Sequence, residues 1–185
     1  MSSRLLQVLG LVWFVSELCL TRRSGAHATS KDRGSLRILW LVEWASIGCG
    51  IVAAFQFPSC RLPARDLFYI FGVCLFVLGL VLRIYAIIYL GRFFTINVAI
   101  AADHRLVDSG PYRFVRHPSY TGALMLFVGL GLGIGNWLSL VFIFVPILAA
   151  FWWRMKVEEA ALVEALGEPY RRYMARTKRL VPKIY

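Results

Sequence analysis

The sequence predicts an all-α, polytopic integral membrane protein with about five transmembrane helices. Three observations carry that expectation. Of the 185 residues, 59% are hydrophobic and 17% charged, against roughly 45–50% and 25% in an ordinary soluble domain. The apolar residues fall in runs long enough to cross a bilayer. The 21 Lys and Arg, set against 10 Asp and Glu for a net charge of +11, lie outside those runs, Arg83 excepted, rather than along one amphipathic face. Such a distribution marks the loops of a membrane protein and not a nucleic-acid surface. It also excludes a disordered chain.

A hydrocarbon core about 30 Å thick takes about 20 apolar helical residues, with ~17 near the lower limit. The first run, 5–20, is short and carries Glu17 near its end. The second and third, 38–57 and 67–90, meet the requirement comfortably. The stretch 120–153 is too long for one span and is broken at Gly135-Asn136, a turn dipeptide, so it predicts two short helices in a hairpin. Pro146 is expected to kink the second of them. Gly129/Gly133 and Gly131/Gly135 form small-x-x-x-small pairs that let helices approach closely. They do not make a dinucleotide loop, because no strand precedes them. The chain divides into residues 1–66, with the first two helices and a basic loop, and 67–185, with three further helices, a polar loop over 91–119 and C-terminal helices.

Orientation follows from the basic residues. Segments 21–37, 91–119 and 154–185 hold 17 Lys and Arg, whereas the opposite side holds Arg4, Arg61 and Arg65. The positive-inside rule then places the N-terminus outside and the C-terminus in the cytoplasm. Ala26-His27-Ala28 has the small-x-small form of a signal-peptidase site, but Arg22-Arg23 directly after the apolar run favours a retained span. The four cysteines form neither a disulfide framework nor a zinc pattern, and no other metal-ligand spacing is present.

Besides Glu17 near the end of the first, two charges fall inside predicted spans, Glu43 in the second and Arg83 in the third. An ionised side chain there costs at least ~2.5 kcal/mol unless paired or solvated. Counted from the cytoplasmic ends they lie at depths of roughly 8 and 10 Å, at 1.5 Å per residue. A Glu43–Arg83 pair is the favoured expectation, with Glu17 the alternative partner.

Polar residues concentrate in two cytoplasmic segments. The first, 97–120, holds His104, Tyr112, Arg116, His117 and Tyr120. The second, 152–159, holds Arg154 and Glu158, four apart and so on one helical face. Any one of these reads as a membrane anchor or a surface ion pair. Together, a hairpin that starts and ends on the cytoplasmic side brings His117, Tyr120, Arg154 and Glu158 to the same face. Donors and acceptors converging beside apolar helices suit a charged cofactor with an amphipathic co-substrate.

At these residues the chain resembles the isoprenylcysteine carboxyl methyltransferase family. The resemblance lies in Gly110-Pro-Tyr-Arg-Phe-Val-Arg-His-Pro-Ser-Tyr-Thr-Gly122, Glu158-Glu159 and Leu166-Gly167-Glu-Pro-Tyr-Arg-Arg-Tyr173, and covers roughly 68–185. Members are integral-membrane enzymes that use S-adenosylmethionine and are related to phospholipid methyltransferases. The resemblance implies a cytoplasmic-side cofactor pocket. It assigns cofactor contacts to His104, Arg105, Leu106 and Val107, to Tyr112, to His117, Pro118, Ser119 and Tyr120, and to Glu158. Arg154 would face the methyl acceptor as the catalytic and substrate-binding residue. Asn97 stands where the family can carry Gln, keeping the amide at the loss of a methylene.

The implied chemistry is methyl transfer by in-line displacement at a sulfonium. An already activated methyl leaves the protein to align and dry the reactants. A carboxylate acceptor, such as that of a C-terminal isoprenylcysteine or a related lipid-like molecule, needs no general base and can be oriented by Arg154. A phospholipid amine or small thiol would have to lose a proton. The competing enzyme class is an NADPH-dependent membrane sterol reductase, which shares the Arg-His-Pro-x-Tyr-x-Gly pattern and a C-terminal Pro-x-Ile-Tyr ending echoed by Val181-Pro-Lys-Ile-Tyr185. The short chain, His104-Arg-Leu-Val107 and Glu158-Glu159 favour the methyltransferase. A membrane scaffold would leave the polar convergence unexplained.

Overall fold

A computed structural model describes residues 3–24, 34–94 and 105–184. They form six helices: α1 (Ser3–Ser24), α2 (Ser35–Gln56), α3 (Arg65–Leu90), α4 (Pro118–Ile134), α5 (Trp137–Leu166) and α6 (Glu168–Arg176). Among the described residues there is no β-strand; the backbone pairs only in two isolated bridges. Three helices are long and apolar enough to cross a membrane: α2, α3 with the turn that follows it, and α5. The 17-residue α4 is shorter but equally apolar. Asn97, His104 and the Ala26-His27-Ala28 site lie outside the described residues.

Packing is inverted relative to a soluble bundle. In α2 the buried positions are Ser35, Glu43, Ser46, Gly50 and Ala53, whereas Leu41 and Phe55 are 70% and 82% exposed. Large apolar side chains facing outward, with small and polar ones facing in, fit a lipid solvent that gives no hydrophobic reason to bury Leu. The protein is an integral membrane protein on this evidence. Its centre is nevertheless apolar where α3, α4 and α5 meet, at Phe76, Leu126, Phe127, Ile147, Phe151 and Met155.

The α3–α4 interface rests on backbone contact. A Cβ placed at Gly79 would lie 2.5 Å from the Gly122 carbonyl oxygen, and one at Gly72 would lie 2.7 Å from that of Gly129. The paired spacing is therefore seven residues on each helix, Gly72/Gly79 against Gly129/Gly122. This corrects the expected four-residue pairs. Gly129 faces α3, but Gly133 faces Leu6 of α1 and Gly131 faces Leu140 of α5. A run of alternating glycines spreads around the helix axis, so it serves three neighbours rather than one.

The hairpin forms at the expected dipeptide. Gly135 ends α4 with φ 77°, a left-handed conformation that favours glycine. Asn136 caps α5 by accepting from the Leu138 and Ser139 amides at 2.9 and 3.2 Å. Its Nδ2 donates to the Phe57 carbonyl at 2.9 Å, tying the hairpin to the end of α2. Helix α5 carries Pro146 within it and continues well past Trp153. That extension carries Arg154, Glu158 and Glu159.

The Glu43–Arg83 expectation needs correction. Arg83 instead pairs with Glu17, the alternative partner, through Nε to Oε1 at 2.5 Å and Nη2 to Oε2 at 2.9 Å. Both side chains are largely buried. A bidentate fork onto one carboxylate is the preferred geometry for a guanidinium. It pins α1 to α3, which otherwise share little contact surface.

Candidate active site

The start of α2, the ends of α1 and α3, the start of α4 and the extension of α5 meet at one end of the bundle. They enclose a cavity lined by Glu17, Glu43, Arg83, Tyr112, His117, Ser119, Tyr120, Arg154 and Glu158, with Leu36, Leu39, Trp40 and Phe151 as its apolar wall. Polar groups from segments far apart in sequence thus face one space.

Tyr120 is the hinge of the polar set. Its ring packs on Phe151 at 5.0 Å between centroids. Its hydroxyl accepts from Arg154 Nε at 3.1 Å and donates to Glu158 Oε2 at 3.0 Å. Arg154 and Glu158 do share a face, as their spacing predicts, and Tyr120 is the group between them. Arg154 is buried, and its Nη1 donates to Ser35 Oγ at the start of α2. Glu158 is about a third exposed at the side chain and lies 4.0 Å from His117 Nδ1.

Behind this layer stands a charge cluster centred on Glu159, which is buried. Its carboxylate accepts from Arg116 Nε at 2.9 Å and Arg179 Nη2 at 2.7 Å, and lies 3.1 Å from His117 Nε2. Arg116 also donates to the carbonyls of Met174 and Thr177. The chain after α6 returns alongside 115–117, where the Arg116 and His117 amides donate to the Lys178 and Arg179 carbonyls at 2.8 and 3.0 Å. His117 is therefore held from one side by the tail and Glu159, with its other ring nitrogen turned toward Glu158.

The Gly110–Arg113 turn places Tyr112. Gly110 adopts φ 55° beneath the Tyr89 ring, where a Cβ would lie 2.4 Å from Tyr89 Cζ. The Tyr112 hydroxyl donates to the Ala86 carbonyl at 3.2 Å, and Tyr173 donates to the Tyr112 carbonyl at 2.6 Å. Burial pushes the Tyr112 and Tyr170 hydroxyls well above the ordinary tyrosine range, and pushes Tyr173 up to about 12. These groups stay protonated at neutral pH, and Tyr112 and Tyr173 serve as fixed donors.

Of the residues singled out in the sequence, Tyr112, His117, Ser119, Tyr120, Arg154 and Glu158 line the cavity. Pro118 is buried as the first residue of α4 and does not line it. Arg105, Leu106 and Val107 form irregular chain outside the lining, with Arg105 exposed. Sequence reasoning missed Glu17, Ser35 and Glu43 as site neighbours, and Glu159 with Arg179 as the scaffold. Glu17 and Glu43 were legible only as charges within spans, and Glu159 only as an acidic residue next to Glu158.

Comparison with known proteins adds an independent line. Residues 67–169 match the pattern of a family described as phospholipid methyltransferase. A protein-S-isoprenylcysteine O-methyltransferase B of Arabidopsis thaliana is 37% identical over 116 residues, which are 62% of this chain and 59% of that protein. A protein-S-isoprenylcysteine O-methyltransferase of Saccharomyces cerevisiae is 34% identical over 138 residues, 71% and 57% of the two chains. The solved structure of a eukaryotic intramembrane Ras methyltransferase, an isoprenylcysteine carboxyl methyltransferase, superposes with a TM-score of 0.57 at 26% identity, covering 80% of this chain and 52% of that one. The chain spans about half the length of the relatives it matches.

Proposed function

Because the chain belongs to the phospholipid methyltransferase family, we propose that it is an S-adenosylmethionine-dependent methyltransferase of the membrane. The acceptor in this reading is the carboxylate of a C-terminal isoprenylcysteine or a related lipid-like acid. One observation carries it: Tyr120, Arg154 and Glu158 are joined in a chain of hydrogen bonds inside a cavity that also has an apolar wall of Leu36, Leu39, Trp40 and Phe151. Such a wall suits a lipid tail, and such a chain suits two charged headgroups.

The residues present fit the cofactor. Glu158 is partly exposed within the cavity and gives Tyr120 only one carboxylate oxygen. The other is available to an ammonium group. The cofactor supplies a methyl group already activated on a sulfonium. Tyr112, His117, Ser119 and Tyr120 form the wall against which it lies. Arg154, held by Tyr120 and Ser35, presents its guanidinium to the acceptor carboxylate. An anionic oxygen is already a nucleophile, so no side chain has to remove a proton. The apolar wall excludes water that would otherwise solvate the nucleophile.

In this reading α1 and α4 cross the membrane as well, giving five spans, and the cavity opens to the cytoplasm. The basic segments around the cavity are the support for that orientation. Names of relatives that act on isoprenylcysteine support the acceptor class.

Two measurements test the proposal. Calorimetry on the purified protein should show binding of S-adenosylmethionine and its demethylated product, with no comparable binding of NADPH. Membranes incubated with methyl-labelled cofactor should yield a base-labile methyl ester. A labelled amine or thioether would move the acceptor to a phospholipid amine or small thiol. Tight NADPH binding without cofactor binding would overturn the methyltransferase reading.

A further inference from the structure

Helix α2 lies outside the segment matched by the family pattern, yet it forms one wall of the cavity. Leu36, Leu39, Trp40 and Glu43 line the space. Their spacing of three, four and seven residues puts them on one helical face. Three apolar positions therefore lead to a single carboxyl group.

Among the described residues that carboxyl group has no hydrogen-bond or ion-pair partner, and Arg83 and Arg154 act on it only through longer-range charge. Glu43 is 8% exposed. The arginine beside it is already engaged. Arg83 gives Nε and Nη2 to Glu17, and its Nη1 lies 3.4 Å from the Ser119 carbonyl. Glu17 thus supplies the countercharge that Glu43 would otherwise provide. A buried acceptor left unmade is costly, and buried polar groups without partners call for an explanation. Here the open side of the group is the cavity, so a bound molecule can supply the missing donor.

Resting on the carboxylate reading above, we propose that Glu43 determines specificity for the methyl acceptor by accepting a hydrogen bond from an N–H close to the carboxylate that Arg154 orients. Arg154 and Glu43 line the same cavity, and Ser35, on the same helix as Glu43, holds Arg154. The substrate class is then an S-alkylated amino acid or C-terminal peptide residue, which carries a carboxylate and an N–H on one carbon. A lipid carboxylate without nitrogen fills the apolar wall and meets Arg154 but leaves Glu43 unmet.

The test compares two acceptors that differ only in that group: N-acetyl-S-farnesylcysteine and S-farnesyl-3-thiopropionate. Each is assayed with wild-type protein, Glu43→Gln and Glu43→Leu, and cofactor binding is measured on the same preparations. Wild type should favour the N-acetyl compound about tenfold or more in kcat/KM, the worth of one hydrogen bond to a charged group. The preference should reside mainly in KM. Glu43→Leu should bring the ratio close to one, and Glu43→Gln, which keeps an acceptor oxygen, should retain part of it. Cofactor affinity should hold in both variants, which also shows that they are folded. Equal use of both acceptors by wild type, an equal loss on both in Glu43→Leu, or loss of cofactor binding in the isosteric Glu43→Gln would each overturn the assignment. If wild type binds cofactor but methylates neither acid, the carboxylate reading fails and this proposal with it.

Discussion

The α3–α5 region and the α1–α2 pair reach the same cavity by different physical means. In the first, side chains are positioned by dense local structure: a glycine-to-glycine helix contact, a capped hairpin, and an ion cluster closed by the returning tail. In the second, α2 packs along α5, where Ser139 Oγ donates to the Gly50 carbonyl at 2.7 Å, and two polar contacts reach into the site. Glu17 holds Arg83 and Ser35 holds Arg154. A site can thus be complete only when a region with no recognisable motif is docked on one that has several. The difference predicts that substitutions in the glycine seam and ion cluster of α3–α5 act first on folding, and those of the α1–α2 polar contacts first on function.

The largest effect should come from the α3–α4 seam. Exchanging an interior helical glycine for alanine ordinarily stabilises a helix by up to about 1 kcal/mol. At Gly79 the added Cβ meets the Gly122 carbonyl and the Leu126 amide, both backbone, so the sign should reverse. Gly79→Leu should yield no folded protein. Gly48 has open space around it, and Gly48→Ala should be neutral or stabilising. Monodispersity and melting in detergent decide this. A folded Gly79→Leu protein would show that the seam can open and would remove the contrast between the two regions.

Next in size is Glu159→Ala. It leaves Arg116, His117 and Arg179 around an emptied site. Removing one partner of a buried ion cluster costs about 3–5 kcal/mol, so the melting temperature should fall by many degrees. Glu158→Ala should barely alter melting without ligand, because that side chain is a third exposed. Its cofactor affinity should instead drop about 10- to 150-fold, the equivalent of a charge-assisted contact at 1.5–3 kcal/mol. Arg154→Ala should spare cofactor binding and abolish turnover. If Glu158→Ala and Arg154→Ala weaken cofactor binding equally, the two residues do not divide the headgroups as proposed.

The contrast between adjacent Glu158 and Glu159 also shows how far the sequence can be read. Helix breaks, the hairpin dipeptide and the shared face of Arg154 and Glu158 follow from local periodicity and turn chemistry, and all three are present. Which of two consecutive glutamates enters the cavity does not follow. They point about 100° apart, and the choice depends on a tail that returns from residue 177 onward. The Arg83 partner was missed for a related reason. Depth along a helix places Glu17 and Glu43 within reach, but only rotation about the helix axes decides between them. Ser35 carried no signal, since a serine opening a helix reads as a cap.

The smallest effect sharpens the comparison most. Ser35 is buried at the start of α2, and its hydroxyl accepts from Arg154 Nη1. Ser35→Ala removes one hydroxyl and leaves the Tyr120 contact to Arg154 Nε intact. A single net hydrogen bond is worth about 0.5–1.5 kcal/mol, so melting should shift by only a few degrees. If that bond sets the aim of the guanidinium, turnover should fall several-fold while cofactor affinity stays unchanged, because no cofactor-facing group has moved. Ser35→Thr, which keeps the hydroxyl, should recover most of the rate. A Ser35→Ala protein with full turnover would show that Tyr120 alone aims Arg154. The α1–α2 pair would then touch the chemistry only through its carboxylates. A loss of cofactor affinity equal to the loss of turnover would instead show α2 acting on the whole cavity, as packing does in α3–α5.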